Sequence, residues 1–429
     1  MVNKIMKVGV VKTSIDLKSR VAKEESFLLQ MPASFLIGFF CIYVKTFAMM
    51  TPLFSFPDAL DRGLLLIGAL FLCIHILLNL EKYSGRAVPL LLVLLACAYS
   101  YIASGETSAL VVALVIIAAA TAGDAKSLLR VWLGMTLFLT LFLIAVFLLT
   151  AIFEPDQLTY TVRGENGGAI LTRFNLSFSH PNMAAAIIMM LCGVFMFLNY
   201  ENLNIRTYSG VIVISVLVLL LTNSRTSFVL TLIEILLFAA QKQRAIFNLH
   251  WIRNIVALMP AIFFLAVFLV SGPLYSDFMS DLFTGRISLW HQCFLNQGIT
   301  FFGQPFQSTS YTNSMGWTYY YTTLDSAYAL GLFVLGLIFS IFFCWSIFAL
   351  IKRADSSLGM KLPLIIVMLL FGFTEAHVFN IVVCAPLLLL AEGILPVKTN
   401  ERIKASSKAR HSIRRLKKQR SKNLRNMLQ

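Results

Sequence analysis

The chain has 429 residues, of which 58% are hydrophobic and only 13% charged, and its mean hydropathy is +0.81. That composition excludes a water-soluble globular domain and places the chain among polytopic membrane proteins. The net charge of +15 is no nucleic-acid signal by itself: residues 398–429 carry twelve Lys or Arg against Glu401 alone, and residues 1–25 carry six against three acids, so the long middle is almost neutral.

Taken in order, residues 1–28 form a polar tail that does not resemble a cleaved signal peptide. Runs of roughly 17–25 apolar residues suit a spanning helix. By that measure twelve spans are predicted near 29–53, 62–80, 87–104, 107–122, 129–153, 178–199, 207–222, 226–240, 252–272, 326–351, 361–374 and 378–396. Lys or Arg in the segments between alternate spans puts both termini in the cytoplasm, together with 81–86, 123–130, 200–206, 241–253 and 352–361. Because both ends of 207–240 and of 361–396 are basic, each is read as a hairpin of two short helices rather than one long helix. The domain plan is a cytoplasmic tail, a transmembrane domain over 29–396, and a basic cytoplasmic tail over 397–429. The second tail is expected to be solvated or to rest on anionic lipid, with RNA or partner docking as its alternative role.

This topology puts the tips Asn223-Ser224-Arg225 and Glu375-Ala376-His377 on the outer side, beside outer loops 154–177 and 273–325. Within the second loop, Phe283, Ile287, Trp290 and Phe294 recur at helical spacing, which predicts an interfacial amphipathic helix over 282–296. Tyr311, Trp317, Tyr319, Tyr320 and Tyr321 follow, either as a membrane-surface belt or as a platform for sugar rings. Seven scattered cysteines form neither a disulfide framework nor a CxxC metal pattern.

Phosphate-cradling, metalloprotease, serine-hydrolase and dinucleotide motifs are missing, and no paired carboxylates suited to a metal-bridged pyrophosphate occur in the outer loops. Four arginines do fall there: Arg163, Arg173, Arg225 and Arg286. A forked, permanently charged donor grips phosphate or carboxylate. Arg163 and Arg173 can equally be solvated loop charges, and Arg286 can hold a lipid headgroup. Arg225 interrupts an apolar stretch, where a cation needs a partner or a wet cavity. Asp325 reads as a helix cap or as a general base, and Glu375 with His377 as an arginine-paired turn or as catalytic groups. Glu234, near mid-depth of its span, reads as a structural partner of Lys45 or of a polar helix face. His180-Pro181-Asn182 opens a helix, with Ser177-Phe178-Ser179 supplying its caps.

Four segments together resemble the Wzy-type oligosaccharide repeat-unit polymerases, within the O-antigen polymerase and ligase superfamily. They are 172-TRFNLSFSHPNMAAA-186, 222-TNSRTSFV-229, 283-FTGRISLWHQCF-294 with Gly303, and 325-DSAYALGLFVLG-336, and they occur in the family's order. Two departures stand out: Ser177 replaces a glycine of the family pattern, and Asp325 stands where the ligases use histidine. The resemblance implies an all-α integral membrane protein with about twelve transmembrane helices and a GT-C-like fold. It implies that Arg225 and Arg286, helped by Arg173 and Arg163, bind the pyrophosphate of an undecaprenyl-linked oligosaccharide. His180, Asn182, Ser224, Trp290 and Tyr328 are expected to line the substrate site, with Asp325, Glu375 or His377 acting on the proton. The expected activity is polymerisation of a glycan at the outer face of a bacterial cytoplasmic membrane, without cofactor or metal. Membrane lipid, a flippase and a chain-length regulator are the partners implied, with no nucleic acid. A ligase, or a flippase of lipid-linked oligosaccharide, is the alternative.

Overall fold

A computed structural model describes residues 31–395 other than 55, 156–157, 159, 165–169, 284, 308, 313–317, 322–323 and 354–356. Both predicted tails and Trp317 lie outside the described residues. The helices are α1 (Ala33–Ala48), α2 (Asp58–Leu78), α3 (Ala87–Ser104), α4 (Ser108–Ala122), α5 (Ala125–Phe153), α6 (Pro181–Leu198), α7 (Ile205–Thr222), α8 (Arg225–Arg244), α9 (His250–Ser271), α10 (Asp277–Leu282), α11 (Arg286–Asn296), α12 (Ala327–Leu330), α13 (Leu337–Lys352), α14 (Leu358–Thr374) and α15 (Leu387–Ile394). A helical turn at Leu80–Tyr83 leads into α3.

Six of the described helical segments are long and apolar enough to cross a membrane: 58–78, 80–104, 125–153, 181–198, 205–222 and 250–271. Burial is distributed as a bilayer requires. Leu66, Leu78, Ile102, Phe138 and Leu220 are apolar and exposed on the outer helices, whereas α4 and α6 are enclosed on nearly every face. The chain is therefore a helical membrane protein.

Local sequence explains most helix ends. Asp124 accepts from the Ser127 amide at 2.8 Å to start α5, and Asn204 accepts from the Arg206 and Thr207 amides to start α7. Asn223, at φ 48°, ends α7 in the left-handed conformation that asparagine tolerates, and α8 begins two residues later. This is the predicted break of 207–240 into two helices.

Two predicted spans are interrupted. The segment 326–351 is α12, a π-helical stretch over Gly331–Leu335, a break at Gly336 and then α13. Gly336 has φ 93°, and a Cβ there would lie 2.4 Å from the Gly303 nitrogen, so only glycine fits. Loop 300–304 takes over the backbone bonding: Thr300 and Phe301 carbonyls accept from Leu337 and Ile338, while Gln304 donates to Val334. Ser100 of α3 donates to the Leu335 carbonyl at 2.9 Å. Likewise 378–396 is not one helix; a non-helical stretch over 380–386 precedes the short α15. Asn380 Oδ1 accepts from the Val382 and Val383 amides, and Trp132 Nε1 donates to the Ile381 carbonyl at 2.8 Å. Irregular backbone at membrane depth persists only when protein groups satisfy it, as here.

The two loops predicted to be outer also depart from an all-α expectation. Loop 154–177 carries an antiparallel ribbon of β1 (Tyr160–Gly164) and β2 (Ile170–Phe174), with Arg163 opposite Leu171 and Arg173 opposite Thr161. A second ribbon pairs β3 (Thr309–Thr312) with β4 (Thr318–Tyr321), and holds Tyr311, Tyr319, Tyr320 and Tyr321. The predicted interfacial helix over 282–296 is α11, which starts at Arg286 after Gly285, φ 82°, while the separate α10 ends at Leu282. Of the predicted apolar stripe Ile287 and Trp290 are buried, with Trp290 against Phe373 and Phe294 against Phe268, whereas Phe283 is exposed.

Opposite ends of the bundle differ in charge. At one end Lys242 holds the carbonyls of Tyr200, Glu201 and Leu203, Arg86 holds those of Gly393 and Ile394, and Lys361 pairs with Glu392. The tips at 222–225 and 374–377 lie at the other end, and the candidate site is built there.

Candidate functional site

Residues 175–182 make the floor. Leu176 and Ser177 have φ 51° and 63°, so Ser177 adopts the left-handed backbone that glycine would take more cheaply. Its carbonyl accepts from Thr51 Oγ1 at 2.6 Å, and the Ser179 amide donates to the Met50 carbonyl at 2.7 Å, which together hold the turn. His180, rather than the serines before it, caps α6: its Nδ1 accepts from the Asn182 amide at 3.1 Å, with Pro181 in the first turn.

From this turn a chain of polar contacts crosses to both hairpin tips. Arg173, 7% exposed, donates through Nε to the Thr222 carbonyl at 2.8 Å and through Nη2 to Asn182 Oδ1 at 2.5 Å. Asn182 Nδ2 in turn donates to Glu375 Oε1 at 3.0 Å. The side chain amide thus joins a buried guanidinium to a buried carboxylate.

A second pair closes the other side. Arg286, the first residue of α11, donates through Nη1 to the Thr374 carbonyl at 2.9 Å, and its Nε lies 3.3 Å from Asp325 Oδ2. Both of these side chains are partly exposed. Asp325 is not the helix cap; that role falls to Ser326, whose hydroxyl accepts from the Ala329 amide and donates to the Gly372 carbonyl.

Electrostatics separate the acids and bases. Burial pushes the Glu375 carboxyl up from 4.5 to about 7, and Asp325 adds to the rise. Arg286, the Asn182 hydrogen bond and Arg173 oppose this without prevailing. Burial and the Arg173 charge lower the proton affinity of His180, against a smaller opposing pull from Asp325. His377 is lowered too, by burial and then by His180. Two neutral imidazoles, a carboxyl that takes and gives a proton near neutrality, and two guanidinium groups thus share one end of the bundle. Such a set can neutralise an anion while a neighbouring group accepts a proton.

Other expected residues fall elsewhere. Arg225 opens α8, three residues after the Thr222 carbonyl that Arg173 holds, with its side chain exposed; Arg163 is on β1. Ser224 is buried and donates to Ser227 Oγ at 3.2 Å. Trp290, 2% exposed, and Tyr328, whose hydroxyl donates to the Leu369 carbonyl, pack in the interior beneath the site and do not line it. Tyr328 is 1% exposed and lies edge-on to Phe264 at 4.9 Å, so protein encloses its ring. Glu234 does not pair with Lys45, which sits 3.6 Å from Asp61 on α2. The carbonyls of Thr222 and Thr374 were beyond sequence reasoning because any residue supplies a carbonyl. Among the described residues no group of three His, Cys, Asp or Glu side chains is arranged to hold a metal ion. Comparison of the chain with family models, curated proteins and solved structures gives no match.

Proposed function

We propose that the protein is a glycosyltransferase that polymerises a lipid-linked oligosaccharide at the outer face of a bacterial cytoplasmic membrane. One observation carries the reading: Arg173 and Arg286 flank the carboxyl of Glu375, linked to it through Asn182 and through the Thr374 backbone. In this reading the chain makes twelve GT-C-like crossings, the last of them unwound over 380–386. The growing glycan is held on undecaprenyl pyrophosphate. As its anomeric bond to the phosphate breaks, negative charge collects on the departing pyrophosphate. Arg286 and Arg173, with Arg225 at the neighbouring tip, offset that charge. Glu375 is the base, because a carboxyl held near neutrality accepts a hydroxyl proton more readily than an ordinary carboxylate. Asp325 positions Arg286 and competes with the diphosphate for it. A single displacement of this kind inverts the anomeric centre.

Purified protein given lipid-pyrophosphate-linked repeat units tests the reading. A ladder of longer glycans is expected, lost in Arg286→Ala and in Glu375→Gln while single repeats persist. An undiminished ladder in both variants rejects the assignment, and transfer to a different acceptor molecule turns it into a ligase. A transporter of the same lipid-linked substrate is the second reading. The observation favouring it is the pair of interrupted helices, since Phe339 and Phe343 just after the Gly336 break pack edge-on against Phe379 beside the other. Movement of labelled substrate across liposomes without elongation establishes that alternative.

A further inference from the structure

Glu234 takes no part in the site described above. It lies nine residues after Arg225 in the twenty-residue α8. At about 1.5 Å per residue that is roughly 14 Å below the site end, near mid-depth of the helix. The side chain is 0% exposed, and neither carboxyl oxygen has a hydrogen-bond partner among the described residues. Room for it comes from Gly193 on α6, where a Cβ would lie 2.0 Å from Oε1. A carboxylate enclosed without a donor is far costlier than the neutral acid, so this cavity suits a carboxyl that carries a proton.

The charged and titratable groups on the helices packed against α8 are few. Cys192 adjoins Gly193 on α6. Arg206 and Tyr208 lie in the first turn of α7, and Lys361 lies in the first turn of α14, held by Glu392; all three are toward the basic end.

Ser227, Thr231 and Glu234 of α8 are all buried at intervals of four and three residues, so they share one face, and buried Ser224 precedes them at the helix cap. Ser224 donates to Ser227 Oγ at 3.2 Å, and Thr231 Oγ1 donates to the Ser227 carbonyl at 2.8 Å. Toward the basic end the next position on this face is Phe238, fully enclosed, so the hydroxyls lead from Glu234 to the site end alone. Close helix packing accounts for small hydroxyl residues at such an interface. It does not account for a carboxyl without a partner.

We propose that Glu234 is an intramembrane proton-binding site that exchanges with water at the site end through the hydroxyls of Thr231, Ser227 and Ser224. In each exchange the Glu234 O–H turns to the Thr231 oxygen and gives up its proton there, while the Thr231 hydroxyl, turned from the Ser227 carbonyl, hands its own proton to Ser227 Oγ and so by Ser224 to water. A proton from water returns along the same line, so the carboxyl ends neutral. Hydroxyl rotors turn fast enough to reset the line between transfers. The inference stands apart from the glycosyltransferase reading, since it needs no substrate.

Infrared spectroscopy of the purified full-length protein in lipid nanodiscs tests it. At neutral pH the wild type should show the carbonyl stretch of a protonated carboxyl that Glu234→Gln removes. On transfer to deuterium oxide that band should shift promptly, and Thr231→Val should slow the shift by an order of magnitude or more. Ser227→Ala, the loss of one oxygen, is the milder second variant and should slow it in the same direction. A spectrum with no band lost in Glu234→Gln overturns the neutral acid. Equal exchange rates in wild type and both hydroxyl variants overturn the pathway.

Discussion

Replacing Glu375 by glutamine removes an ionisable group while keeping the oxygen that accepts from Asn182 Nδ2. The folded carboxyl sits at about 7 against an ordinary value of 4.5, a gap worth about 3 kcal/mol. The sign follows from linkage. At low pH the folded and unfolded chains both hold the proton, and the stabilisation is fully present. As pH rises past 4.5 the unfolded chain releases its proton first, so stability falls until the folded carboxyl ionises at about 7, and no further loss follows. Glutamine has no proton to lose. Thermal unfolding of detergent-purified protein, followed at steps from about pH 5 to about pH 8, should therefore show Glu375→Gln gaining on the wild type across that window and then running parallel to it. A difference that stays flat, or that shrinks with rising pH, would refute the reasoning. It would mean that Arg286 and Arg173 outweigh burial and keep Glu375 an ordinary carboxylate, unsuited to the role of base.

Asn182→Ala strips one partner from Arg173 and one from Glu375; each lost hydrogen bond to a charged group costs about 1.5–3 kcal/mol, visible as a lower unfolding temperature. Gly336→Ala places a methyl against the Gly303 nitrogen at φ 93° and should cost at least about 1–3 kcal/mol, read as loss of the monodisperse peak in size-exclusion chromatography. Trp132→Phe keeps the ring packing but orphans the buried Ile381 carbonyl; the expected loss of about 1–3 kcal/mol is measurable by the same thermal assay, and an unchanged midpoint would show that another donor takes the place of the indole.

Helices whose signals are local were legible in the chain. The apolar runs of α2 through α7 and α9 match their predicted spans to within a few residues, and His180-Pro181 announced the start of α6 by its own chemistry. Interruptions were not legible, because an apolar run looks the same whether its backbone bonds are made within the helix or by another loop. Gly336 was one of two glycines in its run; only the approach of Gly303 shows why it matters. The site was half legible. Arg173, Asn182, Arg286, Asp325 and Glu375 were named as residues, but the hydrogen bond from Asn182 to Glu375 spans 193 positions of sequence and follows no periodicity. Lys45 found Asp61 on the adjacent helix rather than Glu234, a choice between two acids that spacing alone could not make.

The interruption at Gly336 bears on how the chain is assembled. Apart from Ser340 in the adjoining α13, the groups that satisfy its backbone among the described residues, Ser100 and residues 300–304, are synthesised before it, and so is Trp132, which serves Ile381 in the second break. Neither unwound stretch has to wait in the lipid for a partner from a distant element still to be translated. A circular permutation or split that placed residues 327–395 ahead of the rest would reverse this order, and would leave two lengths of unbonded peptide exposed to hydrocarbon during insertion.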